Sequence, residues 1–210
     1  MWNKLTKQKK KAKLWVISGP SGSGKTTICD FLLKEPGINL TCSVSSTTRK
    51  PRKGEKNKKD YNFISNQDFL KKIKKGEFIE YEQVFGNYYG TSKKFINSLL
   101  EKGRDVLLSI DVKGAMQIRK KFPKNSVFIF VLPKNEKDLY DRIKKRAKDK
   151  KEDIKIRLKR VKQEISYAQK YDYILINDKL DKAFNELKSI IIAKRLENDN
   201  KSYPAGISIR

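Results

Sequence analysis

Eight consecutive residues set narrow limits on how this chain can fold. Gly19-Pro20-Ser21-Gly22-Ser23-Gly24-Lys25-Thr26 meets the pattern G-x-x-x-x-G-K-[ST] at every fixed position. The apolar run Leu14-Trp15-Val16-Ile17-Ser18 precedes it, as a buried parallel strand would. Thr26 to Lys34 follows with Ile28, Phe31 and Leu32 on one helical face, and Pro36-Gly37 ends that helix. Strand, glycine-rich turn and helix in that order make a phosphate cradle. The glycines let successive backbone N–H groups converge on phosphate oxygens, and the helix N-terminus adds its dipole. Lys25 is placed to neutralise β- and γ-phosphates, and the Thr26 hydroxyl can join a Mg²⁺ shell made mostly of water and phosphate. A glycine-rich turn that binds nothing is the weaker reading, because motif and context occur together.

Beyond this unit, strands and helices alternate. Ser92 can cap a helix running to Lys102, with Gly103 closing it. Val106 to Ile110 reads as a strand ending in Asp111, the expected second acidic group near a metal. A helix through Met116 and Ile118, a strand Val127 to Val131, and a helix capped by Asn135 and carrying Arg142 and Arg146 come next. A helix containing Arg157 and Leu158, a strand Tyr173 to Ile176 and an amphipathic helix spaced by Leu180, Phe184, Leu187 and Ile191 complete the pattern. Such alternation predicts an α/β fold of three layers around a central parallel sheet. Between Leu40 and Thr91 the character changes. Short strands at Tyr61–Ile64 and Phe78–Tyr81, a helix from Gln67 to Lys75 stopped by Gly76, and a turn at Gly86-Asn87 suggest an inserted subdomain.

Composition removes whole classes of chemistry. The 210 residues include no histidine, which excludes Ser-His-Asp and Cys-His nucleophile systems and His-ligated metals. Cys29 and Cys42 are the only cysteines, too few for a zinc site or a disulfide framework. No apolar stretch approaches the roughly 20 residues of a membrane span. The lysine-rich start of the chain lacks the apolar region of a secretory signal, so a cytoplasmic protein is expected. With 50 Lys+Arg against 24 Asp+Glu the formal charge is +26. That charge allows nucleic-acid binding through the basic arm, residues 1–13, but lysine, isoleucine and asparagine all have AT-rich codons, and a solvated arm is the favoured reading.

The insert carries a second anion site. In Ser45-Ser46-Thr47-Thr48-Arg49-Lys50-Pro51-Arg52-Lys53-Gly54-Glu55, the guanidinium forks of Arg49 and Arg52 suit phosphate oxygens, with Tyr61 and Tyr89 as phenolic donors. Glu80 lies within a largely apolar strand, where a carboxylate needs a partner. A guanine supplies one, since its N1–H and N2–H₂ donors lie side by side, and Thr91 can donate to guanine O6. Each of these residues alone reads most simply as surface; together they point to a nucleotide acceptor.

The combination resembles the guanylate kinase family. The resemblance is carried by Ser45 to Phe63, Phe78-Ile79-Glu80, Gly86-Asn87-Tyr88-Tyr89-Gly90-Thr91, Ile110-Asp111 and Ile176-Asn177-Asp178, and it runs from about Lys13 to Leu196. It implies a P-loop fold with a nucleoside-monophosphate-binding subdomain (45–92) and a helical lid (134–158) inside a domain spanning 14–197, followed by a tail, 198–210. It implies Mg²⁺-dependent phosphoryl transfer from ATP to GMP or dGMP by a monomer or homodimer without membrane attachment. Gly19, Ser21, Gly22, Ser23, Gly24, Lys25, Thr26, Thr27 and Asn177 would hold ATP, Asn177 at the adenine, with Thr26 on the metal. Ser45, Arg49, Arg52, Tyr61 and Tyr89 would hold the GMP phosphate, Glu80 and Thr91 would read the guanine with Asp111 nearby, and Glu55 would also belong to the substrate site. Lys25, Arg49, Arg142, Arg146 and Arg157 would be catalytic. There are three departures from the family pattern: Lys58 for a small residue, Ser109 for an acid, and Ala147-Lys148 in the lid. An idle scaffold domain that binds phosphorylated peptides is the rival within this fold, and the presence of Lys25 argues against it.

Overall fold

The computed structural model describes residues 11–146 and 159–197. Its centre is β1 (Leu14–Ser18), buried at all five positions. Strand β1 pairs in parallel with β7 (Val106–Ser109) on one side and β8 (Ser126–Pro133) on the other. Strand β2 (Thr41–Cys42) adds to β7, and β9 (Tyr173–Asn177) to β8, giving the order β2-β7-β1-β8-β9, parallel throughout.

A parallel sheet must be covered on both faces, and the period-2 alternation of its side chains divides the core accordingly. Leu14, Val16, Leu108, Phe128 and Phe130 meet Ala115 and Ile118 of the helix Val112–Lys121 on one face. Trp15, Ile17, Leu107, Ile129 and Val131 meet Ile28 and Leu32 of the helix Lys25–Lys34, and Leu187 and Ile191 of the helix Leu180–Leu196, on the other. The result is the expected three-layer α/β architecture. Among the described residues no helix is long and apolar enough to cross a membrane.

A second sheet, ordered β4-β3-β6-β5, stands apart from the first. Strands β3 (Ser46–Thr47) and β4 (Asn62–Phe63) are two residues long, shorter than the expected strand at Tyr61–Ile64. Strand β5 (Phe78–Val84) forms an antiparallel hairpin with β6 (Asn87–Ser92), the register shifting between Phe78 and Glu80. The hairpin turn is Phe85-Gly86, one residue earlier than Gly86-Asn87. Both residues have positive φ, 49° and 76°, as the tightest twisted hairpins require. The small core here is aromatic. Phe69 of the helix Asn66–Lys74 stacks on Phe78 at 4.4 Å and Tyr88 at 5.2 Å. A Cβ on Gly90 would come within 3.0 Å of both phenylalanine rings, so only glycine lets them close on the sheet.

One boundary differs in a way that bears on the site. Strand β7 stops at Ser109, and Asp111 caps the helix Val112–Lys121, accepting from the Gly114 N–H at 2.8 Å. Asn135 caps the helix Glu136–Arg146 as expected, accepting from the Asp138 N–H at 2.8 Å.

Candidate active site

The first βα turn is the glycine-rich loop, at the carboxyl end of the central strand where open α/β sheets place ligands. Its conformation demands glycine. Gly19, Gly22 and Gly24 have φ of 146°, 90° and 92°. A Cβ on Gly19 would lie 2.1 Å from the Val131 carbonyl oxygen, and one on Gly24 would lie 2.1 Å from Asn177 Nδ2. The Lys25 ammonium donates to the carbonyls of Gly19 at 2.6 Å and Pro20 at 3.0 Å, so the loop encircles its own cation. Ser21, Thr26 and Thr27 are exposed, whereas Ser23 is buried. The exposed Thr26 hydroxyl, in the first turn of the helix, suits a divalent cation carried in on phosphate. No cluster of three or more acidic or cysteine side chains among the described residues offers a protein cage instead.

Asn177, at the end of β9, is buried and donates from Nδ2 to the Ser23 carbonyl at 2.9 Å. It also lines a cleft with Thr27, Arg142 and Leu180 beside the loop. Arg142 reaches the Gly22 carbonyl at 3.4 Å. Arg146 ends its helix. Arg157 and the Ala147-Lys148 departure lie outside the described residues, as do most of the basic arm and the tail.

Facing the loop is a cavity of about 290 Å³. Gly19, Ser21, Gly22, Gly24, Lys25 and Thr26 form one wall, and Ser45, Arg49, Arg52, Tyr61, Glu80, Tyr89 and Asp111 also line it, so the structure brings the two expected halves of the site together; Glu55 and Thr91 stand behind the lining. At its floor Glu80 is 4% exposed, and Thr91, fully buried, backs it without lining the cavity. They are cross-strand partners, and the Thr91 hydroxyl donates to Glu80 Oε1 at 2.5 Å. The Ser45 and Thr91 hydroxyls are 3.3 Å apart. A Cβ on Gly114 would lie 2.5 Å from Glu80 Oε2. Burial pushes the Glu80 carboxyl up to about 7; the Thr91 hydrogen bond opposes this and the Asp111 charge adds to it. Asp111 is raised by burial as well, against its bond from Gly114 and the nearby Arg160.

An acid holds the Arg49 side chain and the Arg52 backbone in place. Both Arg49 Nη atoms donate to Glu55, at 2.9 and 2.8 Å, and the Arg52 backbone N–H donates to the same carboxylate at 2.6 Å. Hydrogen bonding to Arg49 holds the Glu55 carboxyl below its ordinary range. The Arg49 guanidinium lies 5.4 Å from the Tyr61 ring, and Tyr61 meets Tyr89 edge to face at 6.0 Å. Glu55 therefore organises Arg49 rather than standing apart from it.

Two departures have clear structural settings. Lys58 has φ of 63° in an exposed loop, so the turn a small residue would favour is kept at about 1 kcal/mol of backbone strain. Ser109 lines the cavity and hydrogen-bonds Cys29. Burial pushes that thiol up to about 12, which leaves it unreactive. Sequence reasoning missed Phe85, Arg160 and Glu164, which also line the cavity. The i,i+4 spacing of Arg160 and Glu164 was the available signal.

The family model for guanylate kinase matches residues 11–194. A guanylate kinase of Caldanaerobacter subterraneus subsp. tengcongensis is 45% identical over 191 residues, covering 91% of this chain and 92% of that one. A guanylate kinase of Nitrosospira multiformis is 48% identical over 184 residues, covering 88% and 87%. The crystal structure of guanylate kinase from Anaplasma phagocytophilum superposes with a TM-score of 0.76 at 32% identity, covering 90% of this chain and 89% of that chain.

Proposed function

The chain belongs to the guanylate kinase family, whose reaction is phosphoryl transfer from ATP to GMP, and from that premise we propose how its own residues perform the transfer. The glycine-rich loop takes the ATP phosphates, with Lys25 swinging from its carbonyl partners to the β- and γ-oxygens. Thr27 and Asn177 flank the adenine side. Arg49, Arg52, Ser45, Tyr61 and Tyr89 receive the GMP phosphate, with Glu55 holding Arg49 in orientation. Glu80 accepts from guanine N1–H and N2–H₂, Thr91 turns its hydroxyl from Glu80 to donate toward O6, and Asp111 closes that end of the pocket. dGMP fits the same contacts, since none of them reads a 2′-hydroxyl.

The acceptor already carries a nucleophilic phosphate oxygen, so no strong general base is required and the lack of histidine costs nothing. The barrier is repulsion between two anionic reactants and their misalignment, which preorganised cations in a closed cavity overcome. Lys25, Arg49 and Arg142 provide those cations from three segments, and Arg146 and Arg157 keep the catalytic roles that the family resemblance implies. Mg²⁺, held partly by Thr26, would supply further neutralisation across the transferring phosphate. The inserted subdomain at 45–92 and the lid at 134–158 exclude water that would otherwise accept the phosphoryl group. The enzyme acts in the cytoplasm as a monomer or homodimer.

The observation that carries this reading is the buried Glu80, bonded to Thr91 and lining a cavity walled by the glycine-rich loop. A coupled ADP-release assay with ATP-Mg²⁺ and GMP, dGMP, AMP, CMP or UMP tests it. Turnover confined to GMP and dGMP supports both halves of the assignment. Absence of turnover in a folded sample that still binds GMP would favour a scaffold role.

A further inference from the structure

Arg160 lies on the helical residues 159–165 and faces the acceptor cavity. Its Nε donates to Glu164, one turn along, at 2.8 Å. Its Nη2 stands 3.9 Å from Asp111 Oδ2, at the cap of the helix Val112–Lys121. Its guanidinium carbon is 5.1 Å from the ring centre of Phe85, at the tip of the β5–β6 hairpin.

Two features separate this from an ordinary surface ion pair, which contributes little. Glu164 is only 8% exposed, so its carboxylate needs a charge partner inside the protein. Phe85 is a bulky residue held at φ 49° and left half exposed. A non-glycine residue in that conformation costs free energy and persists where its surroundings fix it. A planar guanidinium can donate in its plane and take an aromatic ring on its face at once, which an ammonium cannot.

We propose that Arg160 is a positioning residue for the acceptor nucleotide: it fixes the hairpin tip Phe85 relative to the Asp111 end of the floor and thereby sets the width of the pocket that holds GMP. The assignment rests on GMP occupying the cavity floored by Glu80. Arg160 makes this link from an element outside both the glycine-rich loop and the inserted subdomain, so it acts on the acceptor side and leaves the donor loop untouched.

Steady-state kinetics on purified full-length protein tests the proposal, with thermal melting of each variant as the fold control. Arg160→Met should raise KM for GMP about fivefold, as expected for losing one partly desolvated cation–aromatic contact, with KM for ATP unchanged. Because that variant strands the Glu164 carboxylate, Arg160→Met with Glu164→Gln removes both charges and should show the same rise without a large loss of melting temperature. Phe85→Leu should raise KM for GMP alone, and should add nothing further in the Arg160→Met background. Arg160→Lys should stay close to Arg160→Met. An unchanged KM for GMP in folded variants, parallel rises in both KM values, multiplying effects of the Phe85 and Arg160 changes, or full rescue by lysine would each overturn the proposal. Failure of the underlying reading would look different: wild-type protein would show no saturation by GMP, and Glu80→Gln would leave GMP kinetics unmoved.

Discussion

The two halves of this site are built on opposite plans. The glycine-rich loop is made of backbone, and its cation is bound locally: Lys25 bonds to Gly19 and Pro20 carbonyls only a few positions away. The acceptor half is made of side chains from distant segments. Ser45 meets Thr91, Thr91 meets Glu80, and Glu80 borders Gly114 from the other domain layer. A backbone site is local, rigid and readable from a short motif. A side-chain site depends on sheet register and on buried charge, so pH and single substitutions can retune it.

The contrast predicts that loss of the loop cation is the most damaging change. Lys25→Met should lower kcat by about 10²–10³, the scale for removing one preorganised stabilising donor, while GMP affinity measured by calorimetry stays intact. A fall in GMP affinity of similar size would mean the halves are not separable. Next in size, Glu80→Gln should raise KM for GMP by roughly 10- to 100-fold, the cost of a lost charged hydrogen bond, and should leave KM for ATP alone.

Glu80 also makes the acceptor half pH-sensitive. Its carboxyl sits near 7, above the ordinary value of 4.5, because burial disfavours the anion. In the free protein the neutral form is the stabilised one, so the stability it contributes is full below about 4.5 and is lost as pH rises through about 7. The proposed guanine contact needs the anion. Affinity for GMP should therefore fall as pH drops below about 7, and binding near neutrality should release a proton. The phosphate of GMP titrates near 6 as well, and Glu80→Gln separates the two: it should abolish the upper limb and keep the lower one. An unchanged profile in that variant would remove Glu80 from guanine reading.

The difference in plan also explains what was readable in advance. Strand β1 was bounded correctly at Leu14 and Ser18, because a fully apolar run ending in glycine leaves one solution. The Asn135 and Ser92 caps were equally local. The hairpin turn was placed one residue late, because Gly-Asn is itself a strong turn signal. Register across β5 and β6, with its shift at Phe78/Glu80, puts the tip at Phe85-Gly86 instead. Glu80 and Thr91 were each identified as facing guanine, but their bond to each other follows from being cross-strand partners, which a linear reading does not show. Arg49 was legible as an anion binder and its clasp by Glu55 was not, since two long side chains six residues apart meet only once the loop between them folds. Arg160 was hidden for the same reason: its partners Phe85 and Asp111 come from remote segments.

Remote side chains also reach the donor side, Arg142 at Gly22 and Asn177 at Ser23, and Asn177 carries the smallest expected effect. Asn177 is 154 positions from Ser23, yet its Nδ2 donates to that buried carbonyl at 2.9 Å. The loop is therefore not wholly self-contained. Asn177→Ala leaves the Ser23 carbonyl without this donor and opens space beside Gly24, so KM for ATP should rise about fivefold, the value of one buried hydrogen bond. KM for GMP should not change. Two roles for Asn177 then separate by donor choice. A residue that only braces the loop acts on the phosphates, so Asn177→Ala would raise KM for ATP and for GTP by the same factor. A residue that also touches adenine would lose its preference for that base as well, with KM for ATP rising by a larger factor than KM for GTP. The proposed adenine contact predicts the second pattern, and equal factors would leave Asn177 as a strut that keeps the glycine loop closed from the far edge of the sheet.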